Sequence, residues 1–321
     1  GMSAILLTAL TLCEAGDNIV CAGQVYGGTY NLFRVTLQKF GVACRFFDVD
    51  GGPEEIDALI DEKTKFLFAE TVANPAVAIC DFAALSALCR AHGLLFIVDN
   101  TLATPILCRP LALGADIVIH STSKYIDGHA AALGGMIVDG GEFPFRDNPR
   151  YPAFNVPDES YHGIVYADMP ASFAVKCRAQ MMRDTGAVMS PQNAFLTFLG
   201  CDTLALRMKK HCENAKKVAA YLDAHPRTEW VRHPSLPQDP YHARMLRYLP
   251  DGTGGMLSFG IDGTAETCAR FMQSLSLITQ ETQVADVRSC ILHPASTTHR
   301  QLSREALEEA GIPENLIRLS V

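Results

Sequence analysis

"ADIVIHSTSKYIDGHAAALGG", residues 115–135, closes an apolar run on His120 and then sets Ser121, Thr122, Ser123 and Lys124 side by side. Gly128, Gly134 and Gly135 follow. A lysine is rarely buried without a partner, so Lys124 either snorkels to solvent or is held by something in a pocket. Side chains alternate along an extended segment, so Ser121 and Ser123 can face one side while Lys124 faces the other.

The same grammar recurs upstream. Short apolar runs at 18–22, 43–49, 65–71, 94–100, 115–121 and 134–140 predict strands. Amphipathic stretches at 27–40, 53–61 and 81–92 predict helices between them, the last stopped by Gly93. Near-continuous apolar strands alternating with helices mean an α/β unit with a mostly parallel sheet covered on both faces. Ligands of such sheets sit at the carboxyl ends of the strands. Those ends carry Glu70 and Thr71, Asp99 and Asn100, and His120 and Ser121, with Asn74–Pro75 just beyond the first.

From 141 to 170 the pattern gives way to Pro-, Asn- and Tyr-rich sequence, which reads as a long structureless connection. Helical signals resume at 173–186 and run long from 191 to 224. "TEWVRHP", "GGMLSFGID", a helix near 264–275 and short strands then suggest a smaller α+β unit. The division expected is 1–195 and 196–321, with the long helix bridging the two.

Composition narrows the function. The chain has 321 residues, is 48% hydrophobic and carries a net charge of −8. That balance disfavours nucleic acid, whose binding rests on phosphate neutralisation by Lys and Arg. No apolar run reaches eighteen residues, so no membrane span is expected. Eleven cysteines, an odd number without a C-x-x-C, read as free thiols of a reducing cytoplasm. His211, His225, His233 and His242 have no metal-ligand spacing, and no metal is expected. No G-x-G-x-x-G joins a first strand to a helix, which argues against a dinucleotide oxidoreductase.

An amine that must shed its proton to condense with a carbonyl benefits from burial beside uncharged neighbours. The carbonyl cofactor that needs phosphate donors and also a carboxylate to keep its ring nitrogen protonated is pyridoxal phosphate. Asp99 is the carboxylate at the end of the neighbouring run, and the helix opened by "GMSAILLTALTL" offers bare amides to an anion.

"STSKYIDGH" resembles the lysine segment of the Cys/Met-metabolism pyridoxal-phosphate enzymes, the group holding cystathionine γ-lyase, methionine γ-lyase and O-acetylhomoserine sulfhydrylase. "TLCEAGDNIV" (11–20), "YGGTYNLF" (26–33), "ETVANP" (70–75), "VDNTLATPILCRPLALGADIVIHSTSK" (98–124) and "HPASTTH" (293–299) extend the likeness along the chain. The resemblance implies fold-type I, the aspartate-aminotransferase-like α/β architecture: a mostly parallel, seven-stranded-type sheet domain and a smaller C-terminal α+β domain. It also implies site roles. Lys124 would hold pyridoxal 5'-phosphate covalently as a Schiff base and move substrate protons, with Asp99 facing the pyridine nitrogen. Tyr26 would stack on the ring and assist proton traffic, and Asn74 would sit by the phenolic oxygen. Gly1, Met2, Ser121 and Ser123 would bind phosphate, and Ser289 and Arg318 the substrate carboxylate. A dimer-built homotetramer with shared active sites is implied as well.

Departures accompany the likeness. The family pattern has an arm before Gly1, bearing a tyrosine and an arginine that reach the neighbouring subunit's phosphate, and a tail beyond Val321. Asp127, Ala130 and Ala285 stand where glycines are usual. "PDESYHGIVY" (157–166), "MKKHCENAKKVAAYL" and "HPSLPQDPYH" resemble the O-acetylhomoserine sulfhydrylase branch, an aminocarboxypropyltransferase. The implied reaction is γ-replacement on O-acetyl-L-homoserine by sulfide or a small thiol, giving homocysteine or methionine and acetate. The alternatives are a γ-lyase releasing a 2-oxo acid and ammonia, and, outside catalysis, a truncated relative without cofactor.

Overall fold

The computed structural model of the chain describes residues 1–298, 300, 307 and 311–321; His299, which closes the HPASTTH stretch, lies outside the described residues. Strands β1 (Asn18–Ala22), β3 (Thr64–Glu70) and β4 (Leu95–Asp99) are buried at every position, which is why their sequences do not alternate. With β2 (Ala43–Phe47), β5 (Ile117–Ser121) and β6 (Gly135–Asp139) they form a sheet of order β2-β1-β3-β4-β5-β6. Strands β1 to β5 run parallel and β6 returns antiparallel to β5. The connection between β5 and β6 is built from turns rather than a crossover helix, so β6 must come back the other way. All six predicted strands are present. Among the described residues the sheet has six strands, where the resemblance implied seven.

The helices follow their caps. Asp81 accepts from the amides of Ala83 and Ala84 to open Phe82–Ala91, and Gly93 at φ 58° closes the turn after it. The stretch expected as one helix over 27–40 is helical but uneven: Gly27–Asn31 is α, Leu32–Thr36 widens to π and Leu37–Phe40 tightens to 3-10. The helix expected over 53–61 stops at Asp57. The long helix Pro191–Asp223 starts on a Ser190 cap. It sends Leu204 and Met208 into the core around the first sheet and Ala215 and Ala219 into a second core.

That second core packs a sheet of order β7-β8-β11-β10-β9, made of Thr228–Arg232, Met256–Ile261, Leu316–Ser320, Cys290–Leu292 and Thr279–Gln280. The pairings are antiparallel except β9 with β10. Among the described residues no helix is long and apolar enough to cross a membrane. All eleven cysteines are free.

The segment 141–170 departs from its reading as structureless. Phe145, Tyr151, Phe154 and Tyr166 are buried, and the rings of Phe145 and Phe154 stack at 4.0 Å. The Tyr151 hydroxyl accepts from the Leu95 amide (3.0 Å) and donates to the Lys65 carbonyl, tying the segment to the starts of β3 and β4. Aromatic burial holds what has no regular backbone pattern. Tyr151→Phe leaves the Leu95 amide unpaired, at a cost of about 1–3 kcal/mol. The melting temperature should therefore fall by several degrees; an unchanged value contradicts this anchoring.

Candidate active site

The parallel strands finish along one edge of the sheet, and a cavity of about 1080 Å³ opens there. It is bounded below by Glu70, Asp99 and Ser121, the last residues of β3, β4 and β5. Gly1 and Met2 bring the N-terminal end of the helix Met2–Leu12 to the same wall, while Arg318 of β11 approaches from the second sheet. Tyr26, Asn74, Ser123 and Lys124 complete the lining. Nine of the ten site residues named from the sequence thus meet in one cavity.

Ser289 is the exception. It is not on the cavity wall, and its carbonyl instead accepts from the Thr279 amide (3.1 Å) beside β10. The chain turns through Ala285, at φ 65°, so that Thr282, Gln283 and Val284 face the cavity in its place.

Lys124 Nζ donates to Gln283 Oε1 (2.9 Å), and Gln283 Nε2 donates to the Ser123 carbonyl (3.0 Å). Burial, with the Arg318 guanidinium nearby, holds the Lys124 amine below the ordinary lysine value. A larger share of it is therefore neutral and nucleophilic at any given pH. Ser121 and Ser123 face each other (Oγ···Oγ 2.8 Å), but not through strand alternation: Thr122 to Asp127 coil into turns, which bring Lys124 to the same cavity as the two serines instead of the opposite side.

Thr101 links the acid to this hydroxyl pair. Its amide donates to Asp99 Oδ1 (3.0 Å), its hydroxyl donates to the same oxygen, and that hydroxyl accepts from the Ser121 amide (2.7 Å). Asp99 is 8% exposed and keeps its second oxygen clear of these bonds. The Asp-x-Thr spacing is a local signal for this contact that the strand pattern does not show. Gln283 has no such signal, because it comes from 159 residues further along the chain.

Arg318 is 6% exposed, and burial lowers it to about 10. It donates to the Thr282 carbonyl (2.9 Å) and reaches Asn74 Oδ1 (3.5 Å). No carboxylate among the described residues pairs with it, so a buried guanidinium fork is available to an incoming anion.

The glycines of the opening stretch have two purposes. Gly128 lies at φ 74°, where a Cβ would come within 2.2 Å of the Arg207 guanidinium that gathers the Tyr125 and Ile126 carbonyls. Gly134 and Gly135 permit close approach instead. A Cβ on Gly135 would lie 2.9 Å from the Gly1 nitrogen, which donates to the His120 carbonyl (2.8 Å) and seats the helix end beside β5. Of the non-glycine departures, Ala130 and Ala285 both adopt positive φ, and buried Asp127 caps the amides of His129 and Ala131.

A hydroxyl pair, a helix end, a buried carboxylate, a tyrosine ring and a depressed lysine suit a phosphorylated, ring-bearing aldehyde, the chemistry of a pyridoxal-phosphate enzyme. A sequence model of the Cys/Met metabolism PLP-dependent enzymes matches residues 1–321, and the chain belongs to that family. It is 42% identical over 324 residues to O-acetyl-L-homoserine sulfhydrylase 1 of Thermus thermophilus, covering all of this chain and 77% of that one. It is 40% identical over 335 residues to the homocysteine/cysteine synthase of Kluyveromyces lactis, covering all of this chain and 75% of the relative. A Campylobacter jejuni crystal structure described as an O-acetylhomoserine (thiol)-lyase superposes with a TM-score of 0.96 at 39% identity, over all of this chain and 76% of its own. That structure carries a pyridoxyl-lysine monophosphate. The chain is thus a fold-type I, pyridoxal-phosphate-dependent protein.

Gly135→Ala tests the seating of the helix end. Forcing the backbones apart should cost about 1–3 kcal/mol and weaken pyridoxal phosphate binding. Titration of the apoprotein with cofactor measures it, and unchanged affinity contradicts the close approach.

Proposed function

We propose that this protein catalyses γ-replacement on O-acetyl-L-homoserine, with sulfide or a small thiol displacing acetate to give homocysteine or methionine. The observation that carries this reading is the buried Arg318 fork, without a carboxylate partner among the described residues, beside Lys124 and Asp99 in one cavity. The names of the relatives point to the same substrate class. Pyridoxal phosphate, bound covalently through Lys124, supplies the electron sink for charge developing at the substrate Cα and Cβ.

The chain's own residues do the rest. Ser121, Ser123 and the helix end at Gly1 and Met2 would hold the phosphate, and Asp99 would pair with the ring nitrogen. Tyr26 would cover the ring, and Asn74 would serve its phenolic oxygen. Arg318 takes the substrate carboxylate through two parallel hydrogen bonds, which fixes the Cα–H bond toward Lys124. Lys124, its place on the cofactor taken by the substrate amine, would accept that proton, and Gln283 Oε1, which accepts from the Lys124 amine, would orient it. In this reading Thr282 and Gln283, not Ser289, stand near the substrate. Residues 1–195 form the cofactor-binding unit and 196–321 the smaller one. We place the protein in the cytoplasm as a homo-oligomer. Phe195, Phe198, Leu199 and Leu206 support that assembly, since they leave an exposed apolar stripe along the long helix of a kind that a second copy covers.

Incubating O-acetylhomoserine with and without sulfide tests the reaction. Homocysteine and acetate in equal amounts, dependent on sulfide, are expected. Ammonia and 2-oxobutanoate as main products with sulfide present would make the protein a γ-lyase instead. Arg318→Lys should raise KM for the amino acid by roughly 10- to 100-fold, since it loses the bidentate fork, while cofactor affinity stays put. An unchanged KM removes Arg318 from carboxylate binding.

A further inference from the structure

Glu70 ends β3 directly opposite Asp99 in the strand register and lies on the cavity wall. None of the roles above uses it. Its Oε1 accepts the Tyr26 amide at 2.7 Å, and the Asn74 backbone amide acts on the same carboxyl as a second hydrogen-bonding neighbour. Tyr26 and Asn74 sit on different loops, one following β1 and the other following β3. Tyr26 needs such a fastening. Its side chain is 49% exposed, and its backbone starts the short helix Gly27–Asn31 with no side-chain cap.

We propose that Glu70 is a positioning residue that fastens the loops of Tyr26 and Asn74 to the Asp99 edge, and so sets the ring-covering and oxygen-facing groups around the cofactor. This role rests on the pyridoxal-phosphate reading given above. From Asn74 the link runs on to Arg318 through the 3.5 Å contact, so one carboxyl aligns residues on both sides of the cavity.

The ionisation of the pair supports this. Burial first, and then the neighbouring Asp99 charge, hold the Glu70 carboxyl well above the ordinary carboxylate range. That shift favours the protonated carboxyl and lessens a second negative charge beside Asp99, while Glu70 still accepts the Tyr26 amide. A neutral amide of the same shape should serve equally well, whereas a shorter acid should not reach.

The experiment compares Glu70→Gln, Glu70→Asp and Glu70→Ala as holoproteins. Affinity for pyridoxal phosphate is measured by titration, the bound cofactor's visible circular dichroism by spectroscopy, and folding by thermal melts. The Gln variant should keep affinity within about threefold of wild type and keep its dichroic band. Asp and Ala should lose roughly 10- to 100-fold in affinity, with a diminished band. If Ala fails to fold, Gln and Asp decide. A Gln variant as impaired as Asp, or an Asp variant with wild-type affinity and band, overturns the role of Glu70. A wild-type protein that takes up no pyridoxal phosphate overturns the proposed function, and this role with it.

Discussion

Parallel pairing of β3, β4 and β5 is the constraint from which the site follows. Parallel strands end on the same side, so Glu70, Asp99 and Ser121 arrive at one edge without any long-range instruction of their own. The adjacent pairing of β4 and β5 then fixes the acid relative to the turn that carries Lys124. Antiparallel β6 brings Gly134 and Gly135 back to that edge, where the absence of side chains lets the first helix dock by its N-terminal end. A hydroxyl pair, a helix end and a buried acid are thus brought to one edge by strand direction.

The edge gathers ionisable groups that burial alone would neutralise. Lys124 and Arg318 are both depressed by desolvation, and Glu70 is raised. Such groups cost folding energy, because each is removed from water with incomplete compensation. Functional sites tolerate that cost when a ligand supplies the missing charges. A phosphate, a ring cation and a substrate carboxylate are the complements of hydroxyl and amide donors, Asp99 and Arg318 respectively.

Much of this was legible along the chain. Apolar runs gave all six strands of the first sheet. The hydroxyl-lysine cluster, the strand ends and the opening helix pointed to Ser121, Ser123, Lys124, Asp99 and Gly1, whereas Tyr26, Arg318 and the roles of Met2 and Asn74 came with the family resemblance, and nine of the ten residues so named line the cavity. Local pattern could not supply what comes from distant sequence. Gln283 meets Lys124 only because the second sheet folds over the first, and Ser289 misses the cavity because Ala285 turns the chain before it. The 141–170 segment looked unstructured because its order lies in the buried rings of Tyr151 and Phe154 and in single hydrogen bonds, none of which has a period. The uneven helix at 27–40 shows the same limit, since amphipathic spacing does not distinguish α from π turns.

At the centre is the Lys124 amine, held below the ordinary lysine value by burial and proposed to bond the cofactor's aldehyde carbon. Borohydride reduction of the protein as isolated with pyridoxal phosphate, followed by peptide mass spectrometry, reads that bond directly. The pyridoxyl mass should appear on the peptide containing Lys124 and on no other. Its appearance on a different lysine, or a Lys124 peptide recovered without it, would contradict the account.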